Sequence, residues 1–302
     1  MNIQVLGFKN SKAISVVQFR ADEQDTFDYK SASFAIREKL IEVKEISDSG
    51  SVNDLFVINY SDYYVFFMDG DILTGAKQNR VLNTSVLLKP NSKTLLPVSC
   101  VEAGRWRYSS SMFSMEDNYA APAMLRKCKS IQVNENLKNR KQHYADQSEV
   151  WKNVANLDNL HESKSHTSNL SDVYYSKERD FKTFTEDFEV DKSANGIAVF
   201  VNDRLSGIDV FNRKDIYAEY FTKILNGLAM ESGFSRIKKE CIEEERARQS
   251  VVDFMGGYET IVKKEYHAVG AGTEKRFESM NLTGFELSYE EHLIHVGVNV
   301  VE

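Results

Sequence analysis

Residues 69–106 read DGDILTGAKQNRVLNTSVLLKPNSKTLLPVSCVEAGRW, two extended segments around a proline-marked turn with a dense set of amide, cationic and carboxylate side chains. Gln78–Lys89 and Lys93–Glu102 are rich in Val, Leu, Thr and Ser, and Pro90-Asn91-Ser92 supplies turn chemistry, so the stretch predicts two neighbouring strands joined as a hairpin. Side chains alternate along a strand, which puts Thr94, Leu96, Val98, Cys100 and Glu102 on one face. A carboxylate ending an apolar face is either buried against a cation or set at a pocket rim. Pro97 limits pairing on one side and predicts an edge or a bulge.

Lys77, Gln78, Asn79 and Arg80 open the first segment, and Asn83 follows on the same face as Asn79. One reading of this face is structural: the amides brace loops through backbone hydrogen bonds. The other is a polar pocket for an anionic or nucleotide-like ligand, in which Lys77, Arg80 and Arg105 hold phosphate or carboxylate, Asn79 and Asn83 meet ribose or base, and Trp106 stacks on a planar group.

The runs GAKQNRVLNTSVLL and KTLLPVSCVEAGRW resemble the domain family associated with ADP-ribosylglycohydrolases and rhodanese-phosphatases. QSEVWKNV at 147–154 and GIAVFVNDRLSGIDVF at 196–211 fit the same resemblance, which spans most of the chain. The resemblance implies an association with NAD and ADP-ribose processing, including conflict between bacteria and their viruses. It brings no settled activity and no catalytic residue. Lys77, Gln78, Asn79, Arg80, Asn83, Cys100, Glu102, Arg105 and Trp106 carry over only as the matching motif. Residues 134–146 and 231–265 are more polar than the family leads one to expect.

With 302 residues, 42% hydrophobic and 11% aromatic, the chain can bury a sizeable core. A formal charge of -7 argues against a general nucleic-acid binder, whose affinity rests on a basic surface. Cys100, Cys128 and Cys241 are odd in number and widely spaced, which suits a reducing compartment. The first residues lack the pattern of a signal peptide and no segment is apolar enough to span a bilayer, so the expectation is a cytoplasmic protein with no membrane contact.

Along the chain, Ile3–Phe8 and Ala13–Phe19 predict a hairpin turning at Lys9-Asn10-Ser11. Ser31–Leu40 predicts a short helix, and Asp54–Asn59 and Tyr63–Met68 predict strands. Ala123–Leu160 turns helical but polar; Asn134–Asp146 reads as a solvated helix face or a mobile loop, or else as a lid using Arg126, Lys127, Lys129, Arg140 and Lys141. Gln147–Leu157 is amphipathic, with Trp151 assigned to the core. Ile197–Asn202 and Leu205–Phe211 predict a second hairpin, with Asp209, at odd register to the apolar residues, read as a surface residue rather than one reaching a site, and Asn212 is placed to cap a strongly periodic helix. Ser235–Met255 predicts a charged helix whose Glu243, Glu244 and Glu245 form a solvated face, and four strand-like segments follow near 259–269, 274–280, 283–289 and 292–300.

These elements give an α+β fold: a β-rich N-terminal sandwich or barrel-like unit (1–115), a polar helical and loop connection (116–195) and a mixed α+β C-terminal unit (196–302). His292 and His295 fall on opposite faces of a strand without companion ligands, so no metal site is assigned, and no cofactor is named by the sequence. Gly270-Ala271-Gly272 is a turn, and Cys100 beside valine is a small buried hydrophobe rather than a nucleophile. Three readings stand: a binding module or sensor for an ADP-ribose-like nucleotide; an enzyme on that ligand with Glu102 as general acid or base; and a structural or partner-binding protein.

Overall fold

The computed structural model describes residues 1–21, 27–140, 142–232 and 241–301, with Ser232 by its backbone alone. The first half runs β1 (Ile3–Ser11), β2 (Ile14–Ala21), β3 (Tyr29–Ser31), α1 (Ala32–Arg37), β4 (Ile41–Glu45), β5 (Asp54–Asn59), β6 (Tyr64–Phe67), β7 (Asp71–Gly75), β8 (Arg80–Leu82), β9 (Val86–Leu88), β10 (Ser92–Cys100) and β11 (Phe113–Ala120). Helices α2 (Ala123–Asn139), α3 (Gln147–His161), α4 (Leu170–Ser176) and α5 (Glu178–Thr185) follow. The chain then forms β12 (Gly196–Val201), β13 (Arg204–Phe211), α6 (Lys214–Ser232), α7 (Glu244–Gly257), β14 (Lys264–His267), β15 (Thr273–Glu278), β16 (Leu282–Tyr289) and β17 (His292–Val300). The fold is α+β, with a β-rich N-terminal half. No helix among the described residues is long and apolar enough to cross a membrane.

Three sheets carry the strands. A six-stranded sheet (β11-β7-β8-β10-β5-β4) and a three-stranded one (β3-β6-β9) come wholly from residues 29–120. They share a core in which Val65, Phe67, Val86 and Leu88 of the small sheet meet Val43, Val57, Leu73, Leu96 and Val98 of the large one. The third sheet, β1-β2-β12-β13-β17-β16-β15-β14, joins the N-terminal hairpin to the C-terminal strands. Its central strands are buried on both faces: Val16, Ile197 and Val199 enter the core that contains α6, while Val17, Ala198 and Phe200 enter the core under α7. That is why ISVVQF and GIAVFV are nearly continuous apolar runs rather than alternating ones.

The two segments of the opening stretch do pair, but only over Arg80–Leu82 with Val98–Cys100. Beyond Asn83 the chain leaves this sheet, and β9 pairs with β6 instead, so the expected hairpin is split between two sheets. Pro97 stands where β10 exchanges β5 for β8 as its partner, a place where a missing N–H costs nothing. On the free side of this half of β10, the Gln147 amide acts as a strand. Its Oε1 accepts the Cys100 N–H at 2.8 Å and its Nε2 donates to the Cys100 carbonyl at 2.8 Å. Gln147→Leu is expected to cost about 1–3 kcal/mol in chemical unfolding, because both backbone groups lose their partner.

Other expectations shift for local reasons. The first hairpin turns at Lys12-Ala13, with Lys12 at φ +54°, so pairing continues through Asn10 and Ser11. Trp151 is 37% exposed, while Val150 and Val154 fill the stripe facing the core. α2 runs through Asn134 with Val133, Asn134 and Leu137 buried, not as a solvated face. Helix α6 starts at Lys214, which puts Arg213 rather than Asn212 immediately before it. The start of the Ser235–Met255 helix lies outside the described residues; from Glu244 it is helical, with Glu243, Glu244 and Glu245 exposed. The turn at 270–272 reaches back to β9, where the Ala271 N–H donates to the Leu87 carbonyl at 2.7 Å.

Candidate functional site

Glu102 and Arg105 close the loop that leaves β10. The Arg105 guanidinium forks onto the carboxylate, with Nε donating to Oε1 at 2.8 Å and Nη2 at 2.7 Å from Oε2. Arg105 also donates to the carbonyls of Gly75, Ala76 and Arg107, to Ser109 Oγ and to Asn79 Oδ1, so all its donors are engaged within the protein. Glu102 further accepts from the Asn79 N–H at 3.1 Å and from Thr167 Oγ1 at 3.0 Å. Asn79 completes the knot by accepting from the Gly75 N–H and donating to Asn169 Oδ1 at 3.1 Å. This geometry fixes residues 75–79 against 102–109.

The remaining residues divide between interior and surface. Asn83 is buried, donating to the His143 carbonyl at 3.1 Å and accepting from Ser99 Oγ at 2.8 Å. Cys100 is fully buried, and burial pushes its thiol up to about 11 despite the nearby Arg80. Gln78 accepts from Arg80 Nη1 at 2.9 Å. Arg80 itself has no exposed surface; Nη2 donates to the Ser51 carbonyl at 3.1 Å and its carboxylate neighbour, Glu45, stands 3.8 Å away. Burial lowers the Arg80 pKa.

Trp106 and Tyr108 turn outward, 46% and 49% exposed. Between them lies Lys77, whose ammonium is 5.5 Å from the Trp106 ring centre and 5.0 Å from that of Tyr108. The Trp106 ring also covers the Arg80 guanidinium at 5.5 Å. Among the described residues, no carboxylate lies within ion-pair distance of the Lys77 ammonium. The result is a small aromatic shelf with a buried lysine, outside ion-pair distance of any carboxylate among the described residues, at its inner edge. Of the nine residues singled out in the sequence, Lys77 and Trp106 form this shelf, Asn79, Glu102 and Arg105 brace the loop that carries it, Arg80 lies under Trp106 with Gln78 on its guanidinium, and Asn83 and Cys100 are buried among other partners.

A second constellation, absent from the sequence reading, lies at the centre of the molecule. Asp209 is buried, contrary to its reading as a surface residue, and takes Arg126 bidentately at 3.0 and 2.6 Å. Arg126 Nε donates to Asp69 Oδ2 at 3.2 Å, and Lys129 Nζ donates to Asp69 Oδ1 at 3.2 Å and to the Leu82 carbonyl. Arg126 and Lys129 are therefore core residues, which removes them from the lid reading; Lys141 lies outside the described residues. His295 Nδ1 is 2.8 Å from Ser85 Oγ, and its Nε2 is 3.2 Å from Asp209 Oδ1. Serine, histidine and aspartate in series have the composition of a nucleophilic triad. Ser85 and His295 have no exposed surface, however, and the cavity that reaches Asp209 measures about 20 Å³, the size of one water rather than a substrate. Two cations balance two carboxylates, which makes the cluster an internal tie between α2, β13, β17 and the turns after β6 and β8.

Among the described residues no group of three or more His, Cys, Asp or Glu is arranged to hold a metal. No curated protein and no solved structure matches the chain. A family model does: it spans residues 2–298, covering the shelf, the knot beneath it and the central ion cluster alike. The chain belongs to the ARG and Rhodanese-Phosphatase-superfamily-associated Protein domain family.

Proposed function

We propose that the protein is a binding module, or sensor, for a nucleotide-like ligand of the ADP-ribose class. The observation that carries this reading is the Lys77 ammonium set between two half-exposed aromatic rings without a carboxylate partner. A planar base gains from stacking on such a shelf, and a phosphate gains from a cation with no carboxylate within ion-pair distance. The family's name, which couples it to the ARG and rhodanese-phosphatase superfamilies, supports ligands drawn from NAD-linked metabolism or bacterial conflict systems. In this reading Arg105, Glu102 and Asn79 hold the shelf in place, and Lys77, Trp106 and Tyr108 make contact.

Thermal melting against ADP-ribose, ADP and NAD tests the reading. A ligand at about 100 times its dissociation constant stabilises the fold by about 2.7 kcal/mol. Lys77→Ala and Trp106→Ala are expected to abolish that shift while melting normally without ligand. Mass spectrometry of the same mixtures separates binding from turnover: a new product would extend the reading to an enzyme, with Glu102→Gln the variant to examine. No shift with any nucleotide would overturn the reading and favour a protein partner.

A further inference from the structure

Strands β13 and β17 pair from Phe211↔His295 to Gly207↔Asn299, and the ladder stops there, short of the start of β13 at Arg204. On the other side of β13, Val199 faces Gly207 and Phe200 faces Leu205, so Ser206 is the extra residue of a β-bulge. A cavity of about 360 Å³ opens here, with Lys127 of α2, Asn202, Arg204, Ser206 and Val300 in its lining. Ser206 also lines the one-water space beside Asp209 and Asn299, so that space adjoins the larger one.

Polar groups in this cleft lack protein partners. Asn202 is held in the β12–β13 turn at φ +58°, its N–H donating to the Ala13 carbonyl at 2.6 Å and its carbonyl accepting the Ile242 N–H at 3.1 Å. Its buried Oδ1 has no partner among the described residues, and neither has the buried Nδ2 of Asn299, a residue only 6% exposed. Such groups are unfavourable unless something satisfies them. No carboxylate among the described residues comes within ion-pair distance of the Lys127 ammonium; Glu231 feels its charge from further off. Asp203 also lines the cavity, exposed at the turn with Arg204 beside it in the chain.

We propose that this cleft binds a small hydroxylated anion, a sugar phosphate or sugar acid, independently of the aromatic shelf. The Lys127 ammonium takes the acidic group and Asn202 Oδ1 accepts from a hydroxyl. Asn299 Nδ2 donates to the one water that fits the inner end. Inorganic phosphate engages Lys127 but brings no sugar hydroxyl to Asn202, and a neutral sugar does the reverse, so the pair selects a molecule that carries both. A volume of about 360 Å³ stands at the small end of ligand pockets and suits a single sugar unit.

Calorimetric titration of the whole protein with glucose 6-phosphate, gluconate, glucose and inorganic phosphate tests this. At least one of the first two is expected to bind at least about tenfold more tightly than glucose or inorganic phosphate, and which of them binds identifies the acidic group. Lys127→Ala should weaken that binding at least about tenfold. Asn202→Gly keeps the positive-φ turn while removing the acceptor, and should erase the preference over inorganic phosphate. No binding of glucose 6-phosphate or gluconate at millimolar concentration, or binding no tighter than that of glucose or inorganic phosphate, would overturn the proposal and leave the shelf reading untouched. Binding lost in Lys77→Ala and kept in Lys127→Ala would assign the anion to the shelf and overturn the cleft. The four ligands on the unaltered protein decide the matter even if a variant does not fold.

Discussion

Replacing Asp209 with alanine is expected to lower the unfolding free energy by about 3–5 kcal/mol, because removal of one partner leaves a charge buried without compensation. The Arg126 guanidinium would keep Asp69 but lose its bidentate partner, in a core where Arg126 is 6% and Lys129 0% exposed. Arg126 sits on α2 and Asp209 on β13, so the loss falls on the contact that docks a polar helix on the eight-stranded sheet. Asp209→Asn keeps the shape and should move stability in the same direction. Asp203→Ala, an exposed residue at the adjacent hairpin turn, is the control and should stay within about 0.5 kcal/mol. Guanidinium unfolding followed by circular dichroism measures all three. An Asp209→Ala variant as stable as the control would show that the ion cluster does not hold the layers together.

Acid lability is the second large effect. Burial and the Arg276 and His143 pairs act in opposite directions on Glu274; the pairs win and hold its carboxyl at about 2. Its contribution is present above the ordinary glutamate value of 4.5 and is lost as pH falls towards 2, about 3 kcal/mol in all. Asp209 behaves likewise: burial is outweighed by Arg126 and His295, and its carboxyl lies well below the usual range. His295 is pushed down from 6.5 by burial, so the fold resists protonation there and stability drains as pH falls below 6.5. Glu231 opposes this, since burial pushes its carboxyl up to about 7 and the fold takes up a proton between pH 7 and 4.5 that the unfolded chain does not. The expected profile is shallow between pH 7 and 5 and steep below about 4.5. Urea unfolding across pH 3–7 checks it, and Glu274→Gln should flatten the acid limb. An acid limb unchanged by that substitution would contradict the assignment.

Elements whose signals are local could be read from the sequence. The β12–β13 hairpin turns on Asn202-Asp203 between two apolar runs, and α6 repeats its apolar residues at three and four, so both stand close to where periodicity puts them. The burial of helix α2, itself expected as helical, could not be read this way. The face it buries includes Arg126, Lys129, Ser130 and Asn134, whose partners are Asp69, Asp209 and Thr283 on distant strands and turns. Polar residues that are buried because of remote partners resemble solvated ones in any local window, and Asp209 was hidden for the same reason. At the shelf, Trp106 and Lys77 stood out as chemistry-bearing residues. Tyr108 carried a weaker signal as the second aromatic two residues on. Glu45 carried none, being a carboxylate at the end of an alternating strand; the Lys77 N–H and the Arg80 guanidinium place it under the shelf.

The most direct measurement is titration calorimetry of ADP-ribose against the unaltered protein and Trp106→Ala. The shelf account predicts saturable binding to the unaltered protein and at least about tenfold weaker binding to the variant, with circular dichroism spectra unchanged. Equal affinity for the two proteins, or no binding to the unaltered protein at millimolar ligand, would contradict it.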